Sequence, residues 1–378
     1  MAGLDMTMPP NSRQVILTIN SGSSSLKIGF FDGETELLSG AAEGIGPTGG
    51  RLHFVDGGGQ VIAEEQDSFT SQEEALSRVI EVSRGHVKGT PIAVGHRIVH
   101  GGPELQEHQP ITPAVLAKLA AAEHFAPLHL PQALRLIRQT QQAFPEARQI
   151  ACFDTAFHRN MPEASRRLPL PVGFDLRGVR RYGFHGLSYE SLVHRLGRGL
   201  PERAILAHLG SGSSLCALRN RTSIDTTMGM TPTGGIIMGT RSGDLDPGVL
   251  LFLLRAEKLS IDDLEELLNH RAGLAGLSGG KSDMQQLLAL RTAGDPRADL
   301  AVTAYCNSIR KAVGAYAALL GGVDLLVFTG GIGAHSQEIR SLVCAELGFL
   351  GLSGDGEKVK ALPAEEEFQI ARICGRWV

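Results

Sequence analysis

At 378 residues the chain is too long for one ordinary hydrophobic core, so its length predicts two domains. Hydrophobic residues make up 42% and charged residues 20%, as in globular proteins, and the formal net charge of −4 argues against nucleic acid or an acidic membrane as partner. We find no apolar run of membrane-span length and no secretion-signal pattern. The five scattered cysteines favour a reducing, cytoplasmic environment.

The first half of the chain is predicted to be a hairpin-rich sheet followed by alternating helices and strands. Val15–Asn20 and Ser25–Phe31 are predicted strands around the turn Ser21–Ser24. The further predicted elements are, in chain order, strands at 52–55 and 60–64, a helix at 70–84, a strand running into a loop at 92–102, helices at 113–124 and 131–144, and a strand at 147–154.

The second half repeats this plan. A strand at 202–210 is followed by a turn at 211–214 and a second strand. The remaining predicted elements are helices at 247–257, 261–270, 283–292 and 297–320, a buried strand entering a glycine turn at 323–333, and a helix at 336–347.

The tetrapeptide Ser-Gly-Ser-Ser occurs twice, at 21–24 and 211–214, each time between two predicted strands. Chance recurrence of a common turn string explains the four letters but not the matching strands on both sides. We therefore predict a duplicated α/β unit, with a nucleotide site in a cleft lined by both turns. The 47 glycines fit this hypothesis, because glycine turns let backbone amides approach a phosphate closely.

A strand, a Gly/Ser turn and a second strand form the phosphate-binding motif of the actin–hexokinase–Hsp70 superfamily. Eight segments resemble, in the same order, those of the acetate kinase family. They are INSGSSSLK (19–27), GHRIVHGG (95–102), FAPLHLP (125–131), FDTAFHRNMP (153–162), RRYGFHGLSY (180–189), HLGSGSSL (208–215), MGTRSGDLDP (238–247) and VFTGGIG (327–333). The resemblance covers nearly the whole chain, which is identified as a member of that family.

The resemblance implies an α/β fold of two duplicated ribonuclease-H-like lobes, of the actin/hexokinase/Hsp70 type, with an interlobe active-site cleft. Residues 1–155 would form the N-terminal lobe, completed by 368–378, and residues 156–367 the nucleotide-binding lobe. A homodimer is also implied.

The implied reaction is reversible phosphoryl transfer from ATP to acetate, giving acetyl phosphate and ADP, with propionate as a further acceptor. Because a carboxylate is already ionised at pH 7, this reaction needs positioned cations rather than a general base. Three alternatives stay open: a different phosphoryl donor such as pyrophosphate, a longer acyl substrate (propionate or butyrate), and a nucleotide-binding regulator without turnover.

The resemblance assigns catalytic roles to four residues. Arg97 and Arg241 would hold the carboxylate and the moving phosphoryl group, for which guanidinium groups are suited. His185 would donate a hydrogen bond to the phosphoryl oxygens. Asp154 would orient Arg97 or a water on the metal. Asn20 and Glu366 match positions that bind Mg²⁺ (or Mn²⁺), an ion that keeps several water ligands.

The resemblance also implies two binding sets. The carboxylate and its acyl group would be bound by Arg97, Val99, Leu128, His129, Phe184 and Pro232. The nucleotide would be bound by Ser23, Ser25, Lys27, His208, Leu209, Gly210, Ser211, Gly212, Asp283, Met284, Gln285, Gly331, Ile332, Gly333, Ala334 and His335. Since one methylene changes selectivity only about 10- to 200-fold, the small apolar acyl set does not separate acetate from propionate.

The chain departs from the family pattern mainly on the nucleotide side. Ser211 and Leu130 stand where the family has Asn, GLSY (186–189) replaces GTSH, GIGAH (331–335) replaces GIGEN, and PAEEE (363–367) replaces PTDEE or PTNEE. The identity of the phosphoryl donor is therefore the most open part of the assignment. The replacement of a carboxylate by Ala334 and of an amide by His335 predicts weaker selection of the purine base.

Overall fold

The computed structural model describes residues 14–22, 25–46, 49–67, 69–353 and 356–378. The chain divides into two compact units, one formed by Met1–Ala156 with Glu365–Val378 and the other by Phe157–Ala364. The boundary that the sequence predicts, between residues 367 and 368, falls inside a helix that belongs wholly to the first unit.

The first unit is built on a sheet that has eight strands in the described residues. In chain order the strands are β1 (Val15–Ser21), β2 (Ser25–Asp32), β3 (Thr35–Glu43), β4 (Gly50–Asp56), β5 (Val61–Asp67), β6 (Ala93–Ile98), β7 (Gln109–Pro110) and β8 (Arg148–Phe153). Their spatial order is β5-β4-β3-β2-β1-β6-β8-β7. Strands β1 to β5 pair antiparallel, whereas β1, β6 and β8 are parallel to one another.

Four helices of the first unit flank this sheet in the described residues. They are α1 (Gln72–Arg84), α2 (Pro113–Ala121), α3 (Leu130–Ala143) and the C-terminal helix α14 (Glu366–Cys374). Helix α1 begins where the sequence predicts a cap, because the Ser71 side chain accepts a hydrogen bond from the backbone N–H of Glu74.

The second unit contains a five-stranded sheet in its described residues. The strands are β9 (Arg203–Leu209), β10 (Ser213–Arg219), β11 (Thr222–Thr226), β12 (Leu325–Thr329) and β13 (Val359–Ala361). The helices are α4 (Glu163–Arg166), α5 (Val172–Asp175), α6 (Gly186–Leu196), α7 (Pro247–Arg255), α8 (Ile261–Glu266), α9 (Gly273–Ser278), α10 (Met284–Thr292), α11 (Pro296–Leu320), α12 (Gly330–His335) and α13 (Gln337–Cys344). None of the described helices in either unit is both long and apolar enough to cross a membrane.

The two units repeat one strand plan. The second sheet runs β11-β10-β9-β12-β13, and the same succession appears in the first sheet as β3-β2-β1-β6-β8. In both successions the first three strands are antiparallel and the last two are parallel to the central strand. The predicted duplication of one α/β unit is therefore confirmed by sheet topology.

Strand β9 shows why the second half of the chain has such continuous apolar runs. Its odd-numbered residues Ile205, Ala207 and Leu209 pack in the core that includes helix α11. Its even-numbered residues Ala204 and Leu206 pack on the opposite face in the core that includes helix α6. A strand covered on both faces needs apolar residues at successive positions rather than at alternate ones.

Helix α14 was not predicted from sequence, and it returns the C-terminal segment to the first unit. It packs against β1, β2 and β6 and buries Ile370 and Cys374. A Cβ at Gly95 would lie 2.4 Å from the side chain of Ile370 and 2.6 Å from that of Cys374. The glycine in β6 therefore lets the helix approach the sheet. Helix α6 was also missed, and the predicted glycine turn after β12 is the short helix α12.

Candidate active site

Three neighbouring strand ends bring Asn20, Arg97 and Asp154 of the first unit together. Asn20 lies near the end of β1, Arg97 near the end of β6, and Asp154 directly after β8. Because these strands are parallel neighbours, their carboxyl ends meet at one edge of the sheet. The structure thus unites residues that the sequence separates by as many as 134 positions (154 − 20).

The Arg97 guanidinium donates three hydrogen bonds to two residues of the same unit. Its Nε and Nη2 donate to Oδ2 of Asp154 at 2.9 and 2.7 Å, and its Nη1 donates to Oδ1 of Asn20 at 3.0 Å. Burial opposes its charge, but the carboxylates of Asp154, Glu366 and Glu367 raise the pKa of Arg97 above its usual value. The side chain is therefore a fixed, permanent cation.

Asn20 connects this arginine to the acidic start of helix α14. Its Nδ2 donates to Oε2 of Glu366 and to Oε1 of Glu367, both at 2.8 Å. Burial, followed by the charge of Glu366, raises the pKa of Glu367. Glu367 was missed by sequence reasoning, although it is the last residue of the PAEEE segment that supplied Glu366. Lys27 pairs with Asn20 in the β1–β2 register and lowers the pKa of Glu367 in opposition to burial.

The oxygen atoms of this cluster fit a hard divalent cation such as Mg²⁺ or Mn²⁺. Glu366 and Glu367 offer two carboxylates, whose crowding favours a nearby positive charge, and the amide oxygen of Asn20 beside them accepts a hydrogen bond from Arg97. Among the described residues there is no group of three or more His, Cys, Asp or Glu side chains arranged to hold a metal ion. Two carboxylates suit an ion such as Mg²⁺, which keeps several water ligands.

The first Ser-Gly turn is held by a residue that sequence reasoning missed. The backbone N–H of Gly22 donates to the carbonyl of Ser25 at 2.8 Å. Gln72, buried at the first position of α1, donates from Nε2 to the carbonyls of Gly22 at 2.5 Å and Ser25 at 3.2 Å. Ser23, a predicted nucleotide residue, lies outside the described residues.

The predicted acyl-binding residues are divided between the two units. In the first unit, Val99 follows β6 and is half-buried, Leu128 is exposed, and His129 is the half-buried residue directly before helix α3. In the second unit, Phe184 is buried and Pro232 is half-buried. The carbonyl of Pro232 accepts a hydrogen bond from Nη1 of Arg241 at 3.2 Å, so those two predicted residues are in contact.

His185 and His208 form a stacked pair in the second unit. Their ring centroids are 4.1 Å apart with an interplanar angle of 17°. His185 precedes α6 in a left-handed conformation, at φ 58° and ψ 24°, which is uncommon for a residue with a side chain. Nδ1 of His185 contacts Oγ of Ser214 at 2.9 Å, and Nδ1 of His208 contacts Oγ of Ser188 at 2.8 Å.

Gly212 marks the point where His185 and Arg241 converge on the second Ser-Gly turn. A Cβ at Gly212 would lie 3.3 Å from Nε2 of His185 and 3.4 Å from Nη1 of Arg241. Gly273, at a φ of +61°, packs directly against the backbone of Arg241. A Cβ added at Gly273 would lie 2.5 Å from the Arg241 carbonyl oxygen. Two side chains able to donate hydrogen bonds therefore border one glycine of the loop.

The two glycine turns of the second unit lie side by side. Strands β9 and β12 are parallel and pair His208 with Thr329, so the segments that follow them emerge together. Gly330, at φ +76°, lies so close to the end of β9 that a Cβ added there would be 2.6 Å from the carbonyl oxygen of Leu209. Arg340, which sequence reasoning missed, donates from Nη1 to the carbonyls of residues 333 and 334 at 3.0 and 2.9 Å. It thereby holds the second turn in place.

Segment 283–285 adjoins these turns through Gly239 and Ser282. The N–H of Gly239 donates to the Ser211 carbonyl at 3.2 Å, and a Cβ at Gly239 would lie 3.8 Å from that of Ser282. The Asp283 side chain caps α10 by accepting from the N–H of Gln286, while the Met284 side chain is buried in the core. Within this segment Gln285 is exposed.

The comparisons with known proteins agree over most of the chain. The Acetokinase family model matches residues 15–371. An acetate kinase of Rhodopseudomonas palustris (strain TIE-1) is 40% identical over 395 aligned residues, which cover 96% of this chain and 98% of that protein. Crystal structures of a propionate kinase from Francisella tularensis subsp. tularensis SCHU S4 (31% identity, TM-score 0.87) and of Porphyromonas gingivalis acetate kinase (37% identity, TM-score 0.83) are similar. Each covers 95% of this chain and 98% of its own.

Proposed function

Because the chain belongs to the acetokinase family, we propose that it transfers a phosphoryl group between ATP and acetate, forming acetyl phosphate and ADP. The observation that carries the proposal is the convergence of His185 and Arg241 on Gly212. A phosphoryl group in transfer spreads negative charge over its outer oxygens, and donors fixed beforehand stabilise that charge best. A protein that only binds nucleotide has no need of this arrangement.

In the proposed reaction the residues around Arg97 in the first unit and the pair of Arg241 and His185 in the second unit have complementary tasks. Arg97, fixed by Asp154 and Asn20, binds the carboxylate of the acceptor. Arg241 and His185 stabilise the transferring phosphoryl group. The contact of Asp154 with Arg97 supports an orienting role for the carboxylate, and an acceptor that is already ionised requires no base. Asn20, Glu366 and Glu367 would hold Mg²⁺ or Mn²⁺, which would neutralise phosphate charge.

Propionate is a second proposed acceptor, favoured by the TM-score of 0.87 to a propionate kinase. We propose ATP as the donor, bound by the glycine turns at 210–212 and 331–333, whose backbone amides suit phosphates. Ser211, Ala334 and His335 depart from the family pattern, so weak discrimination between ATP and GTP is part of the proposal. Since ATP is abundant in the cytoplasm, we also propose that the protein acts there.

A hydroxylamine trap for acyl phosphate tests these proposals together. Wild-type protein is incubated with each of acetate, propionate and butyrate, and with ATP, GTP or pyrophosphate as donor, with Mg²⁺ and after its removal by chelation. We expect product with acetate and ATP that depends on the metal. Product with pyrophosphate alone would overturn the donor assignment. Nucleotide binding without any acyl phosphate would instead support a regulator.

We further propose a homodimer that uses helix α7. The helix has no buried residue, and Val249, Leu251 and Phe252 are 41%, 48% and 56% exposed. Three exposed apolar side chains close together on one helix favour a surface that another protein covers. A second copy of the chain is the proposed occupant.

A further inference from the structure

Behind His185, on the side away from Gly212, lies a pair of buried hydroxyl groups. Oγ of Ser214 contacts Nδ1 of His185 at 2.9 Å and the hydroxyl of Tyr189 at 2.6 Å. The Tyr189 hydroxyl also donates to the Ser214 carbonyl at 2.9 Å. Ser214 and Tyr189 are both fully buried, and burial raises the pKa of Tyr189 well above its usual value, so the phenol keeps its proton.

The geometry arises from one helical turn and one strand. Tyr189 lies in the first turn of helix α6, and its N–H donates to the carbonyl of His185, the residue directly before the helix, at 3.1 Å. The side chains of His185 and Tyr189 both reach Ser214 on strand β10. Position 189 departs from the family pattern that the sequence resembles, which has His where this chain has Tyr.

We propose that Tyr189 and Ser214 are positioning residues, a two-hydroxyl relay that keeps Nε2 of His185 a hydrogen-bond donor in both protonation states of the ring. The inference rests on the proposed function, because Nε2 is the atom directed at Gly212 and the proposed phosphoryl site. Ser214 contacts the His185 ring directly, and the Tyr189 hydroxyl acts through Ser214.

In the neutral state the phenol donates to Ser214, Ser214 donates to Nδ1, and the single ring proton is left on Nε2. The short 2.6 Å contact favours this direction, since a phenol is a better donor than an aliphatic hydroxyl. In the charged state the order reverses: Nδ1 donates to Ser214, Ser214 donates to Tyr189, and the phenol donates to the Ser214 carbonyl. Every bond in both orders uses a contact present in the structure.

The charged and titratable groups placed near His185 within the second unit include His208, which stacks on its ring, Arg241 across Gly212, and Tyr189 behind Ser214. Two of these are or can become cations, which disfavour a positive His185. The relay offsets this, because only the charged ring needs the acceptor that Tyr189 provides. Removing the phenol hydroxyl therefore lowers the pKa of His185.

The direct test is the ¹⁵N chemical shifts of the histidine rings, measured against pH on wild-type and Tyr189→Phe proteins, with the His185 signals assigned through His185→Gln. We expect a wild-type neutral ring protonated on Nε2, and a pKa lower by roughly 0.5 to 1 unit in Tyr189→Phe. A neutral ring protonated on Nδ1, or a pKa unchanged by the substitution, would overturn the proposal. The wild-type measurement decides the tautomer even if a variant folds poorly.

Enzyme kinetics provide a second, independent test of the relay. We expect Tyr189→Phe to lower kcat about three- to tenfold with both KM values within about twofold, and Tyr182→Phe to leave kcat unchanged. Tyr182 is the matched control, since its hydroxyl donates to the Gly178 carbonyl at 2.8 Å. Adding Tyr189→Phe to Ser214→Ala should cost no further activity, because Tyr189 acts through Ser214. Additive losses would contradict the relay.

The two arms also separate this inference from the function on which it rests. If wild-type protein forms no acyl phosphate with any acid and donor, the proposed function fails, while the ¹⁵N shifts still report whether the relay holds the proton on Nε2. If acyl phosphate forms but the shifts place the proton on Nδ1, only the relay fails.

Discussion

Arg97 directs two hydrogen bonds, from Nε and Nη2, to the single oxygen Oδ2 of Asp154. The carboxylate thereby sets both the position and the plane of the guanidinium, whose remaining nitrogen reaches Asn20. Asp154 is buried and the Arg97 side chain is 16% exposed, so the pair is largely shielded from solvent. In the proposed reaction Asp154 therefore acts through Arg97.

We predict that Asp154→Asn raises the KM for acetate and lowers kcat/KM about 10- to 150-fold, since a charge-assisted contact worth roughly 1.5–3 kcal/mol is weakened. The hydroxylamine assay would measure both kinetic parameters, and a thermal melt would show whether the variant is folded. Glu65→Gln is the control, because it breaks a partly exposed pair with Arg78 at 2.6 Å in the same unit. An unchanged KM for acetate would show that Arg97 does not bind the acceptor.

Arg241 should matter to turnover more than to binding. We predict that Arg241→Leu lowers kcat by about 30- to 1,000-fold, equivalent to roughly 2–4 kcal/mol of lost transition-state stabilisation, with the Kd for ATP changed less than about threefold. Steady-state kinetics and calorimetric titration would measure the two quantities. Exposed Arg138 provides the control substitution Arg138→Leu. Near-normal kcat in a folded Arg241→Leu protein would remove Arg241 from the mechanism.

Gly212 offers a steric test of the same region. We predict that Gly212→Ala folds normally but lowers kcat about 10- to 100-fold, because the added methyl group would lie 3.3 Å from Nε2 of His185 and 3.4 Å from Nη1 of Arg241. In Gly199→Ala, by contrast, the added Cβ meets no atom within 4 Å, and we expect full activity. Equal activity of both variants would mean that the space beside Gly212 is not used by the reaction.

Stability should depend on pH through two buried histidines. Burial lowers the pKa of His96 and of His158 to about 4, whereas an unfolded histidine titrates near 6.5. Between pH 6.5 and 4 the unfolded chain therefore binds more protons than the native protein, and the free energy of unfolding falls as pH falls. Each histidine contributes up to about 1.4 kcal/mol per pH unit across this window.

Urea unfolding at pH 7, 6 and 5 measures this dependence. We expect His96→Gln to reduce the slope of unfolding free energy against pH, whatever its effect on stability at pH 7. A slope that is the same in the wild-type and His96→Gln proteins would show that His96 binds protons equally in the native and unfolded states, and would contradict the prediction.

The proposed dimer is tested on helix α7. We predict that Phe252→Glu converts the protein from dimer to monomer, since a charge would be placed in the apolar contact. Light scattering coupled to size-exclusion chromatography measures the mass. Val61→Glu, at a 50% exposed position on β5, should leave the dimer intact. The proposal that α7 forms the dimer interface would be contradicted if the wild-type protein were a monomer. It would also be contradicted if Val61→Glu dissociated the dimer while Phe252→Glu did not.

Much of the fold could be predicted because its signals are local. The apolar runs of β1, β9 and β12 and the Gly-Ser turns after the first two follow from composition over five to ten residues. The long helix α11 is bounded by a capping Asp295 and by Gly321 in a left-handed conformation. Helix α14 escaped prediction because Glu365 gives it no side-chain cap and its stability comes from packing on the sheet.

By itself the sequence determined the duplicated strand plan, the glycine turns and the identity of the arginines and histidines that the family pattern carries. Only the tertiary structure decided which atoms those residues touch. Asn20 and Glu366 are 346 positions apart, and their hydrogen bond exists because α14 folds back on β1. Glu367, Gln72, Ser214 and Tyr189 acquire their contacts in the same way. Local patterns specify strands and turns, whereas hydrogen-bond partners between distant segments depend on how sheets and helices pack.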